Sequence, residues 1–485
     1  MSSTSPAVLW FREDLRLTDN PALDAAVRSG RPLICLYVRE TGAGAPRAMG
    51  GASQWWLDKS LSSLSASLEE IGGTLLLRSG RAEVIIPALA EETGADAVFW
   101  NRRYGMPERE TDAAIKKTLK DRGVDCQSFN GRLLMEPWDL KTGGGGWYKV
   151  FTPFWRALQA QYRPPPFLPS PNRITPAPAE TESLKDWDLH PRTPDWSHGI
   201  RAAWEPGEKG ALKRLDDFLA GPLGNYASTR NLPGVPTGTS KLSPHLRFGE
   251  IGPAQIWRAV QARLAAQQAD EESAHVFLSE IAWREFSYML LYFNPALATD
   301  NYNTNFTRMR WRQDDYGFTA WCRGQTGYPI VDAGMRELWC TGWMHNRVRM
   351  ITASFLTKHL LLPWQLGEQW FWDTLVDADP AANPASWQWT AGSGADAAPY
   401  FRVFNPITQG QKFDERGEYV RRWCPELERL PDKYLHAPFD ADPETLSHAR
   451  VRLGTNYPKA IVEHALGRQR ALDAYKTMKE DQSAL

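Results

Sequence analysis

Cysteine, long apolar runs and net charge are all scarce in this chain. Its five cysteines are scattered among 485 residues without a C-x-x-C pair, which argues against a disulfide framework or a zinc site and favours a reducing compartment. The first residues lack a basic segment followed by an apolar run, and no apolar stretch reaches the length of about 18 residues that a membrane span needs. We therefore expect a cytoplasmic protein without a secretory signal or membrane segment, acting as a monomer. The formal net charge of −1 gives no indication of a nucleic-acid partner.

The first part of the chain alternates short apolar runs with amphipathic stretches. The apolar runs cover residues 7–11, 33–38, 74–77 and 97–100, and helical patterns lie near 53–70, 81–93 and 107–121. This alternation predicts a parallel sheet covered by helices. No G-x-G-x-x-G follows the first run, so we do not expect a dinucleotide to bind there in the usual way.

Composition changes twice further along the chain. Residues 132–205 are rich in Gly, Pro and Ser and show little periodicity, whereas helical spacing dominates from about residue 208 onward. We therefore predict an α/β fold with a parallel-sheet, Rossmann-like domain over residues 1–131, an interdomain linker over 132–205 and an all-α domain over 206–485.

Tryptophans are concentrated in one segment of the second half. Seven lie between Trp339 and Trp389, and the segment ends with DADPAANPASWQW at 377–389. Indoles can donate electrons, and here they accompany two carboxylates and an amide, Asp377, Asp379 and Asn383. The pattern predicts an aromatic cofactor held by polar groups and served by electron donors. A tryptophan-rich helical core is the alternative.

Six motifs in order along the chain carry a family resemblance: WFREDLR at 10–16, FTPFW at 151–155, TSKLSP at 239–244, EIAWREF at 280–286, GWMHNRVRM at 342–350 and WQW at 387–389. With them the chain resembles the DNA photolyase/cryptochrome family, most closely the bacterial class I cyclobutane pyrimidine dimer photolyases. The resemblance implies an N-terminal antenna-binding domain, a linker that wraps the surface, and a helical domain for FAD binding and DNA repair.

The resemblance also implies how FAD, active in its reduced form, is bound. Asp377 and Asp379 are expected at the ring edge and ribose, with Arg349 paired to Asp377 and favouring the anionic reduced flavin. An ordinary buried ion pair is the alternative. Asn383 is expected to face the reactive ring nitrogen, where a neutral amide can donate a hydrogen bond. Hydroxyls, an ammonium and a helix N-terminus at 239–243 form a phosphate cradle, although simple capping is the alternative. The remaining expected cofactor contacts are Tyr226, Thr239, Ser240, Lys241, Leu242, Ser243, Arg284, Asn346 and Ala378.

Tryptophan roles follow from the same resemblance. Trp387, Trp364 and Trp311 match the three indoles that relay electrons to an oxidised flavin, and with Glu280 and Asn383 they complete the expected catalytic set. The other tryptophans of the cluster have no such match, and we expect them in the core: Trp339, Trp343, Trp370 and Trp372.

Residues of the substrate side are implied in the same way. Glu280 and Trp283 share one helical face, and a flipped-out lesion would be read by hydrogen bonds and stacked on aromatic or apolar walls. A stretch without carboxylates between Glu337 and Glu368 contains Arg347, Arg349 and Lys358, which predicts a local basic surface. The expected DNA and substrate contacts are Arg230, Glu280, Trp283, Asn346, Arg347, Met350 and Trp389.

The resulting hypothesis is a carbon–carbon lyase that repairs cyclobutane pyrimidine dimers in UV-damaged DNA. Light would drive an electron from reduced FAD to the flipped-out dimer. A cryptochrome photoreceptor is the first alternative, disfavoured by Asn383, by the substrate residues and by the ten residues that follow Tyr475. A (6-4) photolyase is the second, disfavoured by Asn346 and Met350. We expect a second antenna chromophore, either a folate or a deazaflavin.

Overall fold

A computed structural model describes residues 5–397 and 401–483. The chain packs as two compact units. The first runs to Gly224 and includes Ser240–Pro295, and the second comprises Asn225–Thr239 and the residues from Ala296 onward. The predicted domain bounds of 1–131, 132–205 and 206–485 stay a prediction.

A five-stranded parallel sheet forms the centre of the first unit, with strand order β3-β2-β1-β4-β5. The strands are β1 (Ala7–Phe11), β2 (Leu33–Glu40), β3 (Leu75–Gly80), β4 (Ala97–Asn101) and β5 (Asp125–Phe129). The connecting helices are α1 (Pro21–Arg28), α2 (Gly51–Glu70), α3 (Ala82–Thr93) and α4 (Met106–Asp121). Because β1 pairs with β2 on one side and β4 on the other, its AVLWF run is buried throughout. The predicted α/β fold class is confirmed.

Helical segments also occur where the sequence predicts a plain connector. They are α5 (Phe151–Gln161), a 3-10 turn at Leu184–Trp187 and α6 (His198–Ala203). The rest of this connector bonds to the sheet, since Leu33 N donates to Thr175 O at 2.7 Å and Glu182 N donates to Leu77 O at 2.8 Å. The first unit is completed by α7 (Glu208–Leu219) and, after residue 240, by three further helices. These are α9 (Ser243–Phe248), α10 (Pro253–Ala265) and α11 (Glu271–Phe293), whereas α8 (Tyr226–Thr229) lies in the second unit.

Helices dominate the second unit, as predicted for the later part of the chain. They are α8 (Tyr226–Thr229), α12 (Asp315–Cys322), α13 (Pro329–Thr341), α14 (Asn346–Ser354), α15 (Trp364–Thr374), α16 (Ala382–Ala391), α17 (Pro406–Phe413), α18 (Glu418–Trp423), α19 (Asp432–Leu435), α20 (Pro443–His448) and α21 (His464–Ser483). A π-helical turn at Phe355–His359 follows α14. Short 3-10 turns lie at Pro222–Asn225, Thr304–Arg308, Pro425–Leu427 and Pro438–Asp440. Across the described ranges, no helix is both long and apolar enough to cross a membrane.

Two expectations about surface and core are wrong. Lys358 is 1 % exposed, its Nζ donates to Ala391 O, and it lies 3.3 Å from the centre of the Phe401 ring. Burial lowers the pKa of this amine well below its usual range, so it is not part of a basic surface. Trp339 is 62 % exposed and stacks on half-buried Trp370, with ring centres 6.0 Å apart. Trp343 and Trp372 are buried, as expected.

Candidate cofactor and substrate site

Two predicted cofactor residues, Arg349 and Asp377, form an ion pair in the second unit. Arg349 on α14 directs Nη2 to both carboxylate oxygens of Asp377, at 3.1 and 2.8 Å, and Nε donates to Met344 O at 2.7 Å. The Asp377 side chain is 3 % exposed and that of Arg349 is 24 % exposed. The carboxylate therefore holds the guanidinium in one orientation, in a setting where Coulomb interactions are screened less than in water.

Asn383 on α16 forms a second buried polar pair with Glu368 on α15. Its Nδ2 donates to the Glu368 main-chain O at 3.1 Å and to Oε1 at 2.9 Å. A main-chain carbonyl can only accept, so the amide nitrogen must face Glu368, and both of its hydrogens are engaged. In this structure Glu368 occupies the Asn383 amide nitrogen, and the expectation that Asn383 donates to a flavin stays a prediction. The amide oxygen Oδ1 could accept a hydrogen bond from a ligand N–H.

Asp379 lies at the start of α16. Its Oδ1 accepts from Ala381 N and Ala382 N, both at 2.9 Å, so the side chain helps to begin the helix that carries Asn383. The side chains around it are small, and Ala378 and Ala381 are buried. Asp379 is thus flanked by alanines on both sides in the chain, Ala378 directly before it and Ala381 after Pro380.

Two of the predicted relay tryptophans lie on helices in contact with each other, Trp364 on α15 and Trp387 on α16. Trp364 begins this helix, is fully buried, and its Nε1 donates to Asn301 Oδ1 at 2.9 Å. A Cβ added at Gly367 would lie 2.1 Å from Cη2 of Trp387, so the absence of a side chain lets the Trp387 indole contact α15 one turn from Trp364. The Trp387 Nε1 is buried without a hydrogen-bond partner in the described chain.

Trp311 is half-buried and packs in a different apolar cluster, with Phe306, Met309 and Leu361. The next residue, Arg312, donates from its main-chain N to Leu361 O at 2.8 Å, in the segment that leads into α15. All three relay candidates therefore belong to the second unit. Their role in electron transfer stays a prediction.

Predicted substrate contacts in the second unit start from the first turns of α14. His345 Nδ1 accepts a hydrogen bond from Arg347 N at 3.2 Å and so caps the start of the helix. Asn346 and Met350 lie on one face of α14, where Asn346 is exposed and Met350 is half-buried. Arg347 directs Nε and Nη2 to Asn231 Oδ1, at 3.2 and 2.8 Å, and lies 4.5 Å from the centre of the Phe413 ring. Its guanidinium is therefore oriented in advance of any DNA contact.

Other predicted residues of this unit are also partly accessible. Arg230 lies 5.7 Å from the centre of the buried Tyr226 ring, and Thr239 is half-buried. Trp389 is half-buried, and its Nε1 donates to Asp396 O at 3.1 Å.

Glu280, Trp283 and Arg284 all lie on α11 of the first unit. Arg284 Nη1 donates to Arg132 O at 2.9 Å and to Glu285 Oε1 at 3.2 Å. Its Nε and Nη2 are buried without a hydrogen-bond partner among the residues that the structure describes. Two donors on a permanently charged group are thus available to an anion or a carbonyl oxygen. Burial raises the pKa of the neighbouring Glu285 carboxyl to about 7.

Residues 240–243 of the predicted phosphate cradle at 239–243 also belong to the first unit, whereas Thr239 belongs to the second. Ser240 Oγ accepts from Leu242 N at 3.4 Å, and Lys241 adopts a left-handed backbone with φ of 51°. Helix α9 begins at Ser243, which is exposed, and Leu242 is buried. The N-cap residue of α9 is Leu242, whose apolar side chain makes no capping bond, and the phosphate cradle stays a prediction.

These donor sets fit FAD. Arg284 offers unpaired donors suited to phosphate or carbonyl oxygen, Asn383 offers an acceptor suited to a ring N–H, and Arg349 offers positive charge beside small side chains. The predicted cofactor and substrate residues are divided between the two units, and their roles stay predictions. Glu368 was not among the predicted residues, because nothing in its sequence context links it to Asn383.

The comparisons with known proteins agree with this type of flavoprotein. Residues 7–176 match the family model described as DNA photolyase, and residues 277–477 match the FAD binding domain of DNA photolyase. The chain belongs to the DNA photolyase/cryptochrome family. The predicted family and FAD as the cofactor are confirmed.

Two named relatives and one solved structure are similar to this chain over most of its length. A deoxyribodipyrimidine photo-lyase of Agrobacterium fabrum is 53 % identical, over 98 % of this chain and 99 % of that protein. Cryptochrome-1 of Arabidopsis thaliana is 39 % identical, over 94 % of this chain and 68 % of that protein. The crystal structure of a bacterial class III photolyase from Agrobacterium tumefaciens is 52 % identical, with a TM-score of 0.95 over 99 % of this chain and 98 % of that one.

Proposed function

We propose that this protein is a deoxyribodipyrimidine photo-lyase that repairs cyclobutane pyrimidine dimers in UV-damaged DNA with light, using reduced FAD as its electron source. The photo-lyase that is 53 % identical over nearly the whole chain supports this proposal. The observation that carries it is the pair of buried polar contacts Arg349–Asp377 and Asn383–Glu368. The similarity to a class III photolyase makes that class our proposal for this chain.

Bound FAD would supply the light absorption and the transferred electron. Arg349 would stabilise negative charge on the ring, because unit charges about 4 Å apart attract by about 4 kcal/mol at an effective dielectric of about 20. Asp377 offsets part of that attraction and fixes the direction of the guanidinium. Asn383 would accept a hydrogen bond from the ring through Oδ1, with its orientation held by Glu368.

Each unit has its own proposed substrate residues. In the first unit, Glu280 would hydrogen-bond the edge of the flipped dimer, and Trp283 would stack on it. In the second unit, Met350 and Trp389 would provide apolar contacts and Asn346 a hydrogen bond. Arg230 and Arg347 would contact phosphates, which position the DNA without reading its sequence.

A cryptochrome-type photoreceptor is the second candidate. The 39 % identity with Arabidopsis Cryptochrome-1 favours it, although this chain matches 68 % of that protein's length. The proposed substrate residues favour repair, and Asn346 favours cyclobutane dimers over (6-4) lesions.

Defined lesions distinguish these functions. Protein loaded with reduced FAD would be mixed with duplexes that carry one cyclobutane dimer, one (6-4) lesion or no lesion, under blue light and in darkness. We expect light-dependent loss of the cyclobutane dimer alone. Loss of the (6-4) lesion would make this a (6-4) photolyase, and tight FAD binding without repair of either lesion would favour the photoreceptor.

We also propose a second antenna chromophore, a folate or a deazaflavin. By the family resemblance Glu108 matches a folate-contacting glutamate, but Pro107 replaces the amide expected before it and no matching histidine precedes Gly50, so the pigment stays open between the two. Glu108 is buried on α4, and burial raises its pKa. The absorption spectrum of protein reconstituted with each pigment in turn identifies the one that is retained.

A further inference from the structure

Phe151 covers one face of the Trp283 indole. Their ring centres are 3.6 Å apart and their planes differ by 7°, so the two rings are stacked face to face. The Phe286 ring meets both at its edge, with interplanar angles of 72° to Phe151 and 77° to Trp283. Phe151 is buried, whereas Trp283 is half-buried. All three residues belong to the first unit.

The helix that carries Phe151 is attached to α11 at further points. Phe154 packs on Phe286 with ring centres 5.3 Å apart. Trp155 Nε1 donates to His275 Nε2 at 3.3 Å. Phe151 is the first residue of α5, so these contacts in the following turn fix its position. The ring therefore cannot withdraw from Trp283 unless α5 itself moves.

A planar base cannot stack on the face of Trp283 that Phe151 occupies. We propose that Phe151 is a positioning residue, which fixes the Trp283 plane and directs the flipped dimer to the opposite face of the indole. This inference rests on the proposed function, because it requires Trp283 to stack on the lesion. Without Phe151 the indole can tilt, and part of the stacking energy is then spent on ordering it.

The test compares Phe151→Leu with Phe151→Tyr, which keeps the ring, and with Phe99→Leu, which makes the same change at a buried position of β4 outside this ring cluster. Binding to duplexes with and without a cyclobutane dimer is measured at one salt concentration. Phe151→Leu should raise the Kd for the lesion roughly three- to tenfold, as expected for loss of an aromatic pair, and leave binding to undamaged DNA unchanged. Phe151→Tyr and Phe99→Leu should bind the lesion like the wild type, even though Phe99→Leu lowers the melting temperature.

A second background separates this inference from the proposed function. In Trp283→Leu protein, the further change Phe151→Leu should have no effect on lesion binding, because Phe151 acts through the indole. An equal additional loss in that background would overturn the positioning role, as would unchanged lesion binding by Phe151→Leu alone. Unchanged lesion binding by Trp283→Leu alone would instead contradict the proposed substrate role of Trp283. If Phe151→Leu does not fold, Phe151→Met removes the ring but keeps a flexible apolar side chain that adapts better to the vacated space.

Discussion

Replacing Gly367 by alanine places a methyl group against the Trp387 indole. The added Cβ would lie 2.1 Å from Cη2 and 2.5 Å from Cζ3 of Trp387, and 2.6 Å from Cδ2 of Leu356. Carbon atoms in contact lie about 3.5–4.0 Å apart, so the indole has to move by more than an ångström. Its freedom to do so is small, because it is 2 % exposed and meets Phe371 and Trp321 with ring centres 5.0 and 6.1 Å away.

Two effects of opposite sign decide the change in stability. Alanine is favoured over glycine in a helix interior by about 1 kcal/mol. Overpacking a core typically costs about 1–3 kcal/mol, and contacts with two buried side chains put this site in the upper part of that range. Gly367→Ala should therefore lower the free energy of unfolding by about 1–2 kcal/mol. The displaced indole should also change the rate at which oxidised FAD is photoreduced.

Urea unfolding of the wild type, Gly367→Ala and a control, Gly221→Ala, measures the first effect. The Cβ of the control meets no described atom within 4 Å, so its stability should change by less than about 0.5 kcal/mol. In Trp387→Phe protein the clashing part of the indole is absent, and Gly367→Ala should then cost less than in the wild type. A Gly367→Ala protein more stable than the wild type would refute the reasoning.

Three other predictions concern the relay, the DNA contacts and a buried acid. Trp387→Phe should block photoreduction of oxidised FAD and leave repair by chemically reduced protein nearly intact, since phenylalanine is a far poorer electron donor; loss of both would place Trp387 among the cofactor or substrate contacts. Arg230→Ala should weaken binding to damaged and undamaged DNA alike and reduce the slope of the salt dependence by about one phosphate contact. Glu280→Ala should instead lower the discrimination between damaged and undamaged DNA. Salt titrations that show identical losses for the two variants would contradict these assigned roles. Burial raises the pKa of Glu285 from 4.5 to about 7. The neutral carboxyl therefore contributes its full stabilisation of the fold below pH 4.5, and this contribution is lost as the pH rises through 7. The free energy of unfolding should differ by about 3 kcal/mol between the two limits. The stability of Glu285→Gln relative to the wild type should therefore rise between pH 5 and pH 8, and unfolding curves showing a constant difference would exclude a raised pKa.

Strands buried on both faces could be predicted from the sequence, because short continuous apolar runs that alternate with amphipathic helical patterns are typical of a buried parallel sheet. The edge strand β5 was missed, since DCQSF is polar and pairs on one side only. Helix α5 was missed because Pro153 and the surrounding Gly- and Pro-rich sequence indicate a connector, although proline is tolerated in the first turn of a helix.

Part of the candidate site could not be read from residue order at all. The carboxylate-free stretch wrongly predicted Lys358 on the surface. Its Nζ contacts the Ala391 carbonyl and the Phe401 ring, and the sequence does not reveal either contact. The orientation of the Asn383 amide depends on Glu368, which lies on a different helix. The stack of Phe151 on Trp283 joins residues far apart in the chain, and no spacing rule predicts it.

The most direct test of the account is multiple turnover without a reductant. Protein loaded with reduced FAD, in the absence of any added electron donor, is illuminated with an excess of DNA carrying one cyclobutane dimer per duplex. Opening the cyclobutane ring is redox-neutral, so the electron returns after each repair. We expect many dimers to be lost per protein molecule in blue light, with FAD still reduced and no loss in darkness. Absence of light-dependent loss, or loss that stops after one dimer per bound FAD, would contradict the account.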